Sequence, residues 1–492
     1  MSINAPAKPL TLKDYKSDLH NDWCPGCVTP DTRIVMGDWT SRPIADVKVG
    51  DSVLGHDGKP HRVSEVMSHW HPDTLHRIVV SGRGSVTLTA DHPVYVARID
   101  PVAETIRFDW IPAAQVAKGD QVMKPFGAPS VELEKYPQPS VTAIAGSGGQ
   151  TLRALATEKV VASAFALGIV DANEVVAYDG FVHNLEVEDV HSYVTEQGAL
   201  HNCGDFGILT GIQMALQQLQ IEPDKLAVYS GIGCSGKTPH YINGYGFHTL
   251  HGRVLTVATG GRLANTDLTV LALGGDGDGY GIGAGYFVGA GRRNADFAYI
   301  VHNNNVYGLT KGQASPTLSK GKKTKSMPEQ AIQDGINPVA MAVASGYTFI
   351  ARGYALEPKY LASIIVKAIQ HKGSALVDVL QTCPTYNDLY TKEWYEGADL
   401  PEKRSRLYKL EEKGYDGKVQ DPTDAQEIVA KKAAAVARSY ETDPIPIGIY
   451  YQIELPTYED AVGQRIPALA EKPLVEQDVF HRDVNPLLEA MR

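Results

Sequence analysis

Residues 268–310, LTVLALGGDGDGYGIGAGYFVGAGRRNADFAYIVHNNNVYGLT, decide the predicted fold of this chain. An apolar run, LTVLALG, breaks into glycines, a stretch of small residues follows, and a second apolar run, FAYIV, ends in asparagines. Short apolar runs bounded by turn residues are typical of buried strands, and the stretch between them is long enough for a helix. The segment therefore predicts one β–α–β unit of a parallel sheet, whose ligand edge lies at the carboxyl ends of the strands.

Oxygen-bearing side chains follow both predicted strands. Asp276 comes after the first and Asn304 ends the second, 304 − 276 = 28 residues later, so the parallel order brings both to one edge. Glycines let the backbone approach a diphosphate, and a helix N-terminus favours its charge. Carboxylate, amide, carbonyl and diphosphate oxygens suit octahedral Mg²⁺. A Rossmann dinucleotide site is the weaker alternative, because G-x-G-x-x-G fails from Gly277, only its looser form fits from Gly279, and no acidic residue ends the second strand.

The composition limits the class of protein. A chain of 492 residues suggests about two or three domains, and 43% apolar with 21% charged residues supports packed cores. The net charge of −11 argues against non-specific nucleic-acid binding. Short apolar runs and an N-terminus without an apolar signal core predict no membrane association and a cytoplasmic location. Five cysteines do not make a disulfide scaffold, so ligands or nucleophiles are expected.

Two cysteine-containing seams divide the chain. NDWCPGC (21–27) and NCGDFGIL (202–209) look like halves of one loop, and the residues between them form short alternating runs bounded by Gly, Asp and Pro. That pattern predicts an all-β unit with a boundary at each seam. The predicted domains are an N-terminal segment (1–26), the all-β insert (27–202), an α/β domain (203–400), and a C-terminal helix and tail for partner contact (401–492).

The ends of the insert carry the groups that self-excision requires. A nucleophile at the first residue can take the preceding acyl group, a second nucleophile beyond the end can capture it, and a terminal asparagine can cyclise and release the chain. An adjacent imidazole moves protons near neutral pH, and a buried Thr–His pair can polarise the first peptide bond. The first nucleophile is Cys27, the second is Cys203, and the terminal asparagine is Asn202. The adjacent imidazole is His201, and the Thr–His pair is Thr89 with His92.

The insert resembles a minimal intein of the Hedgehog/intein family over its whole length. The resemblance rests on CVTPDTRI at the start, LTADHPVYV with its T-x-x-H, LEVEDVHSYV near the end, and HN before a cysteine. It implies that His191 assists the terminal steps. Many inteins carry aspartate before the LEVE-like stretch, where this chain has Asn184, and this departure bears on how the two cleavage steps are coordinated.

Excision of the insert would leave 492 − 176 = 316 residues and join NDWCPG to CGDFGIL. The split loop becomes continuous, and Cys24 forms a C-x-x-C pair with Cys203. Four soft thiolates favour zinc or an iron–sulfur cluster. For Cys234 and Cys383, which are distant in sequence from the joined loop, the alternative is that they are buried as small apolar side chains. The four cysteines of the product are Cys24, Cys203, Cys234 and Cys383.

The joined chain resembles the β subunit of a 2-oxoacid:ferredoxin oxidoreductase, through WCPG–CGDFG, GIGCSGK, HTLHGR, GGDGD, NNNVYGLTKGQASPT and TCPTYND. The resemblance implies a thiamine-diphosphate-binding α/β fold with Mg²⁺, one [4Fe–4S] cluster on the four cysteines, coenzyme A as co-substrate, and an α subunit and ferredoxin as partners. It implies magnesium ligation by Asp276, Asn304 and the carbonyl of Val306, and places Lys237 near the carboxylate of a 2-oxoacid. The remaining cofactor-region residues are Ile232, Gly233, Cys234, Ser235, His251, Gly275, Gly277, Asp278, Gly308 and Leu309.

The function implied is thiamine-dependent oxidative decarboxylation of a 2-oxoacid to acyl-CoA and CO₂, with electrons leaving through the cluster to ferredoxin. Two alternatives stay open: a non-redox thiamine decarboxylase with zinc on the four cysteines, and an unspliced, self-cleaving precursor. The resemblance places the aminopyrimidine-activating carboxylate on the α subunit. The sequence does not choose between 2-oxoglutarate, pyruvate and branched-chain substrates.

Overall fold

The computed structural model describes residues 9–17, 27–71, 73–82, 84–90, 92–100, 105–125, 165–187, 192–197, 199–201, 203–310, 312–324, 326–478 and 485–490. Within these ranges, β-strands dominate up to residue 201, and strands alternate with α-helices from residue 203. The predicted fold class, a parallel α/β sheet domain interrupted by an all-β unit, is confirmed. Three predicted site residues lie outside the described ranges, Cys24, His191 and Asn202, as does the side chain of His201.

The insert is built from antiparallel strands. Alternation is clear towards the end of Thr74–Val80, where the side chains of Ile78 and Val80 lie in the main core of the insert and Arg77, on the opposite face, is exposed. The strands are β1 (Arg33–Val35), β2 (Ser41–Pro43), β3 (Ser52–Leu54), β4 (Pro60–His71), β5 (Thr74–Val80), β6 (Gly84–Leu88), β7 (Pro93–Asp100), β8 (Thr105–Pro112), β9 (Gln121–Pro125), β10 (Phe165–Ala177), β11 (Gly180–Val187), β12 (Ser192–Val194) and β13 (Ala199–His201).

The second block contains one large sheet with helices on both faces. Its strands are β14 (Leu226–Ser230), β15 (Tyr245–His248), β16 (Thr269–Gly275), β17 (Phe297–Asn303), β20 (Phe349–Tyr354), β21 (Ser374–Leu380), β22 (Leu407–Lys409) and β23 (Ile445–Gln452), with a separate hairpin of β18 (Val306–Tyr307) and β19 (Gln313–Ala314). Its helices are α1 (Asp205–Leu219), α2 (Thr238–Tyr241), α3 (Val254–Ala264), α4 (Ala284–Arg293), α5 (Pro338–Ser345), α6 (Pro358–Gln370), α7 (Lys392–Glu396), α8 (Ala425–Ser439), α9 (Tyr458–Arg465), α10 (Pro467–Glu471) and α11 (Asn485–Ala490).

The strand order in the large sheet is β15-β14-β16-β17-β21-β20-β23-β22. The predicted β–α–β unit is confirmed as β16, α4 and β17, with the two strands paired in parallel. One core lies between the sheet and α1 with α6, and a second lies between the opposite face and α3, α4, α5 and α8. Since the central strands are covered on both faces, they are apolar along their length rather than alternating.

The C-terminal part of the chain contributes to the same sheet. The helix predicted within the C-terminal segment 401–492 is present as α8. Its N-cap is Asp424, whose side chain accepts from the backbone N–H groups of Gln426 and Glu427. The following strand β23 pairs antiparallel with β20, an arrangement that the sequence analysis did not predict. No helix among the described residues is long and apolar enough to cross a lipid bilayer.

A buried ion pair links the neighbouring strands β20 and β21 of this sheet. Arg352 Nε lies 3.0 Å from Asp378 Oδ2, and Tyr280 and Asn303 donate to Asp378 Oδ1 at 3.1 and 3.0 Å.

Arg352→Leu removes the cation and leaves a buried carboxylate without its counter-charge, so we expect a loss of about 3–5 kcal/mol in unfolding free energy. Urea unfolding of the 316-residue product measures this loss, with the exposed Arg292→Leu as control. Equal midpoints for both variants would contradict the expectation.

Candidate functional site

A cavity with about 600 Å³ of empty space opens at the carboxyl ends of β14, β16, β17 and β21. This is the edge where open parallel sheets bind ligands. It brings together all of the predicted cofactor-region residues. Those lining it are Ile232, Gly233, Cys234, Ser235, His251, Gly275, Asp276, Gly277, Asp278, Asn304, Val306, Gly308 and Leu309, together with Asp205, His302, Tyr307, Thr310 and Gln381.

Asp276 is the central acidic group of the cavity. Three donors converge on its Oδ2: Ser315 Oγ at 2.5 Å, the Thr317 hydroxyl, and the Asn305 N–H at 3.1 Å. Burial nevertheless raises the pKa of Asp276 to about 6, against the lowering effect of these hydrogen bonds. No ion pair among the described residues neutralises this carboxylate. Its position therefore fits the predicted divalent cation, which would stabilise the ionised form.

Asp278, two residues after Asp276, is also buried and holds the loop after β14. Its Oδ1 accepts from the backbone N–H groups of Ile232 and Gly252 at 3.0 and 2.7 Å, and lies 3.1 Å from His251 Nδ1. A Cβ on Gly231 would lie 2.1 Å from Asp278 Oδ2, so only glycine allows this close approach. Asp278 therefore brings the predicted cofactor residues 232–235 and His251 to one wall of the cavity.

The described cysteines approach the same edge. Gly204, next to Cys203, donates its N–H to the Thr382 carbonyl at 3.2 Å, which places Cys203 beside the segment containing Cys383. Cys234 lines the cavity and packs against the core cluster that contains Cys203. In the described ranges, no group of three or more His, Cys, Asp or Glu residues has the geometry of a metal site. The donor set is thiol-rich, and its fourth predicted member, Cys24, lies outside those ranges.

Five residues that line the cavity were not predicted, and two of them, Asp205 and His302, form a buried pair. The His302 ring nitrogen Nδ1 lies 2.5 Å from Asp205 Oδ1, and both side chains are buried. Asp205 Oδ2 in turn accepts from the Cys203 thiol at 3.4 Å. Asp205 sits in the CGDFG motif and His302 precedes the asparagines, so both were within quoted motifs without an assigned role. Predicted Lys237 is half-buried and is not among the residues that line the cavity.

A second candidate site lies at the start of the insert. The Cys27 N–H donates to Thr89 Oγ1 at 2.9 Å, and the Thr89 N–H donates to the Cys27 carbonyl at 2.8 Å. His92 is fully buried beside them, and burial lowers the pKa of its imidazole to about 3, against the raising effect of the Cys27 backbone. Thr89 of the T-x-x-H motif thus contacts the nitrogen of the predicted scissile bond, and His92 is buried near it.

The buried neutral histidine makes the insert sensitive to acid. In the unfolded chain His92 takes up a proton below its ordinary pKa of about 6.5, whereas in the fold it does so only near 3. Unfolding therefore takes up a proton between these values, and stability is complete above pH 6.5 and falls as pH drops, by about 1.4 kcal/mol per pH unit. Pulse proteolysis of a splice-blocked chain in urea measures the slope, and His92→Gln should reduce it by one proton. An unchanged slope would contradict this linkage.

Family models match the part of the chain that forms most of the cavity. Residues 231–379 match the model described as thiamine pyrophosphate enzyme, C-terminal TPP binding domain, and residues 383–465 match the model for the C terminus of the pyruvate ferredoxin oxidoreductase beta subunit. The chain is 54% identical over 276 residues to the 2-oxoacid:ferredoxin oxidoreductase subunit beta of Saccharolobus solfataricus, covering 55% of this chain and 87% of that relative. The chain belongs to the 2-oxoacid:ferredoxin oxidoreductase β-subunit family. Within this β-subunit family, the 2-oxoglutarate oxidoreductase subunit KorB of Mycobacterium tuberculosis is 35% identical over 290 residues, covering 54% of this chain and 78% of that relative.

Two kinds of solved structure are similar to parts of this chain. The 2-oxoglutarate:ferredoxin oxidoreductase from Magnetococcus marinus, with 2-oxoglutarate, coenzyme A and succinyl-CoA bound, is 32% identical, covers 59% of this chain and 90% of that chain, and has a TM-score of 0.49. A bacterial intein-like domain from Clostridium thermocellum is 17% identical, covers 36% of this chain and 97% of that chain, and has a TM-score of 0.23.

Proposed function

We propose that the chain excises residues 27–202 and that the joined product oxidatively decarboxylates a 2-oxoacid, transferring the acyl group to coenzyme A and electrons to ferredoxin. The observation that carries this proposal is the cavity at the sheet edge, where Asp276 and Asn304 meet the glycine-lined loops. Thiamine diphosphate, when bound, would supply a carbanion and an electron sink for the departing CO₂. Coenzyme A is proposed because it is bound in the Magnetococcus marinus relative.

The residues of this chain would bind and orient the cofactor. Asp276, the Asn304 amide and the Val306 carbonyl would hold Mg²⁺, a hard cation that prefers such oxygen ligands. The Asn304 side chain is fixed by accepting the Val306 N–H at 3.1 Å, and the Asn304 carbonyl accepts from Asn387 Nδ2 at 2.7 Å. A Cβ on Gly277 would lie 2.2 Å from the Tyr307 ring, so glycine keeps the backbone close at this point. These contacts fix the positions of the proposed metal-binding oxygens before the cation or the cofactor binds.

The four cysteines are proposed to bind a [4Fe–4S] cluster. Cys203 and Cys383 lie on neighbouring segments, Cys234 lines the cavity itself, and splicing would bring Cys24 within three residues of Cys203. When bound by these cysteines, such a cluster would supply one-electron chemistry, which a hydride carrier does not. Visible absorption that bleaches on reduction would support the [4Fe–4S] cluster. So would about four iron and about four sulfide ions per chain, the content of this cluster type. Stoichiometric zinc without visible absorption would instead favour the non-redox decarboxylase.

An α subunit, ferredoxin and a small 2-oxoacid are proposed as partners, because the relatives are named as subunits of ferredoxin-dependent enzymes. Lys237 is proposed to meet the substrate carboxylate, since an ammonium is a suitable point charge for it. Residues 401–492 are proposed to contribute to the contact with the α subunit. The decisive assay uses the purified αβ complex with a panel of 2-oxoacids, coenzyme A and ferredoxin. Activity without coenzyme A or without reduction of ferredoxin would reject the proposed reaction.

Splicing is proposed because the structure holds Thr89 and His92 against the Cys27 backbone. The Cys27 sulfur would take the acyl group of Gly26, Cys203 would then take it over, Asn202 would cyclise with help from His191 and His201, and a peptide bond would form between Gly26 and Cys203. Denaturing electrophoresis of the expressed chain should show 316- and 176-residue products. Cleavage fragments without the joined product would instead favour a precursor that only cleaves itself.

A further inference from the structure

Cys203, the second nucleophile of the proposed splicing reaction, is buried in a core of the α/β domain. It is 5% exposed and belongs to the same core cluster as Phe206 and Ile208 of α1. The Cys203 carbonyl accepts the Phe206 N–H at 3.3 Å, at the start of that helix. The fold of the α/β domain therefore fixes the backbone of this nucleophile in the unspliced chain.

The neighbouring Gly204 packs this backbone against the segment that follows β21. Its N–H donates to the Thr382 carbonyl at 3.2 Å. A Cβ at position 204 would lie 2.9 Å from Gln381 Cγ and 2.9 Å from the Thr382 carbonyl oxygen, so glycine permits this close approach. The Gln381 N–H in turn donates to the Asn303 carbonyl at 2.9 Å, which fixes the segment to the end of β17.

Two buried side chains of the α/β domain contact the Cys203 sulfur. The thiol donates to Asp205 Oδ2 at 3.4 Å, and Gln381 Nε2 donates to the sulfur at 3.5 Å. Asp205 is 0% and Gln381 is 1% exposed. The other oxygen of Asp205 lies 2.5 Å from His302 Nδ1, so the carboxylate is held in one orientation. One contact directs the thiol hydrogen and the other reaches the sulfur itself, so together they restrict rotation of the Cys203 side chain.

We infer that Asp205 and Gln381 are positioning residues for the second acyl transfer of splicing, and that they hold the Cys203 sulfur for attack. This inference rests on the proposed splicing and assigns to it residues of the α/β domain rather than of the insert. In this step a bond forms from the Cys203 sulfur to the Gly26 carbonyl carbon, the bond from that carbon to the Cys27 sulfur breaks, and the thiol proton passes from Cys203 to the Cys27 sulfur. A nucleophile held in one orientation reacts faster than one that rotates freely, because less entropy is lost in reaching the transition state.

The same contacts make the second transfer depend on the folded α/β domain. Cys203 and Gln381 are 178 residues apart in the chain, and Asp205 and His302 are 97 apart. They meet because α1 packs on the sheet in which β17 and β21 are parallel neighbours. The first transfer uses Cys27, whose backbone is held by a residue of the insert. Loss of the Cys203 contacts should therefore slow the second transfer selectively.

The test measures the two transfers separately in the full chain, refolded from urea with a metal chelator so that Cys203 carries no metal. In an Asn202→Ala background, the second transfer gives a branched chain with two N-termini, Met1 and Cys27. Denaturing electrophoresis and N-terminal sequencing detect this branched chain. In Asn202→Ala with Cys203→Ala, cleavage after Gly26 by dithiothreitol reports the first transfer alone, because only a thioester at Cys27 can form.

Gln381→Met nearly keeps the length of the side chain and removes its donor, and we expect the branched chain to form at least about fivefold more slowly, the effect of one lost hydrogen bond. Asp205→Ala removes a charged acceptor and should slow it at least about tenfold. The first transfer should change less than about twofold in either variant. Gln213→Met is the matched control, because Gln213 is a buried glutamine of α1 whose amide donates to the Tyr241 carbonyl at 3.5 Å. It should change both rates less than about twofold.

The ratio of the two rates separates positioning from general support of the fold. Equal slowing of both transfers in Gln381→Met and Asp205→Ala would make these side chains merely structural and overturn the inference. Branching at the unsubstituted rate in either variant would also overturn it, while leaving splicing in place, as would slowing of branching by Gln213→Met to the same extent. Absence of thiol-induced cleavage in the background chain would reject the splicing proposal and the inference together.

Discussion

Cys27→Ala combined with Asn202→Ala is expected to leave a single 492-residue chain and to lower 2-oxoacid oxidation by the αβ complex roughly 10³-fold, equivalent to about 4 kcal/mol. Cys27 is the residue whose backbone N–H is held by Thr89, and without its sulfur the first acyl transfer has no nucleophile. Without Asn202 the insert has no side chain that can release it. The halves of the cysteine loop then stay separated by 176 residues of sequence, and the proposed cluster lacks a joined C-x-x-C pair.

The control for this experiment is a chain encoded directly as residues 1–26 joined to 203–492. It needs no splicing, so it should show the visible absorption and the activity of the spliced product. Mass spectrometry establishes whether Gly26 is joined to Cys27 or to Cys203. Full visible absorption and full activity in the unspliced double variant would show that the joined loop is not required, and would contradict the proposed role of splicing.

Asp276→Asn is expected to weaken magnesium-dependent binding of thiamine diphosphate at least about 100-fold and to abolish turnover. The substitution preserves shape but replaces a carboxylate by an amide. Oδ2 of Asp276 accepts from Ser315, Thr317 and the Asn305 N–H, a set of donors that suits an oxygen and repels an amide nitrogen. The single amide oxygen of asparagine can take only one of the two oxygen positions, so the variant loses the charge for the cation and, in addition, either the second oxygen or the hydrogen bonds that orient the group.

Isothermal titration of the 316-residue product with thiamine diphosphate at fixed Mg²⁺ measures the affinity directly. Asp267→Asn is the matched control, because Asp267 is an exposed carboxylate just before β16 and lies outside the cavity. Unchanged visible absorption in Asp276→Asn would show that the fold and the cluster are intact. Wild-type affinity in Asp276→Asn would reject the assignment of Asp276 as a magnesium ligand.

The features predicted from sequence are those encoded over short distances. The β16–α4–β17 unit depends on apolar runs and a glycine-rich turn within about forty residues, and the register of parallel strands then places Asp276 and Asn304 at one edge. The Thr89–His92 pair was found for the same reason, since its residues are three apart and follow one strand. In each case local pattern and strand geometry together were sufficient.

The features not predicted depend on segments far apart in the chain. Ser315 and Thr317 reach Asp276 from about forty residues away, and Asp205 meets His302 across 97 residues. The antiparallel addition of β23 to β20 joins residues about a hundred positions apart. No periodicity encodes such pairs, because each depends on where complete elements pack.

By itself the sequence determined the fold class and the order of candidate chemical groups at each end of the insert, because these depend on local patterns and on the position of single residues. Only the tertiary structure decided which side chains flank Cys27 and which hydroxyls hold Asp276. The physical reason is that a buried polar group takes its hydrogen-bond partners from whichever strand or loop packs against it, and that packing is a property of the whole fold.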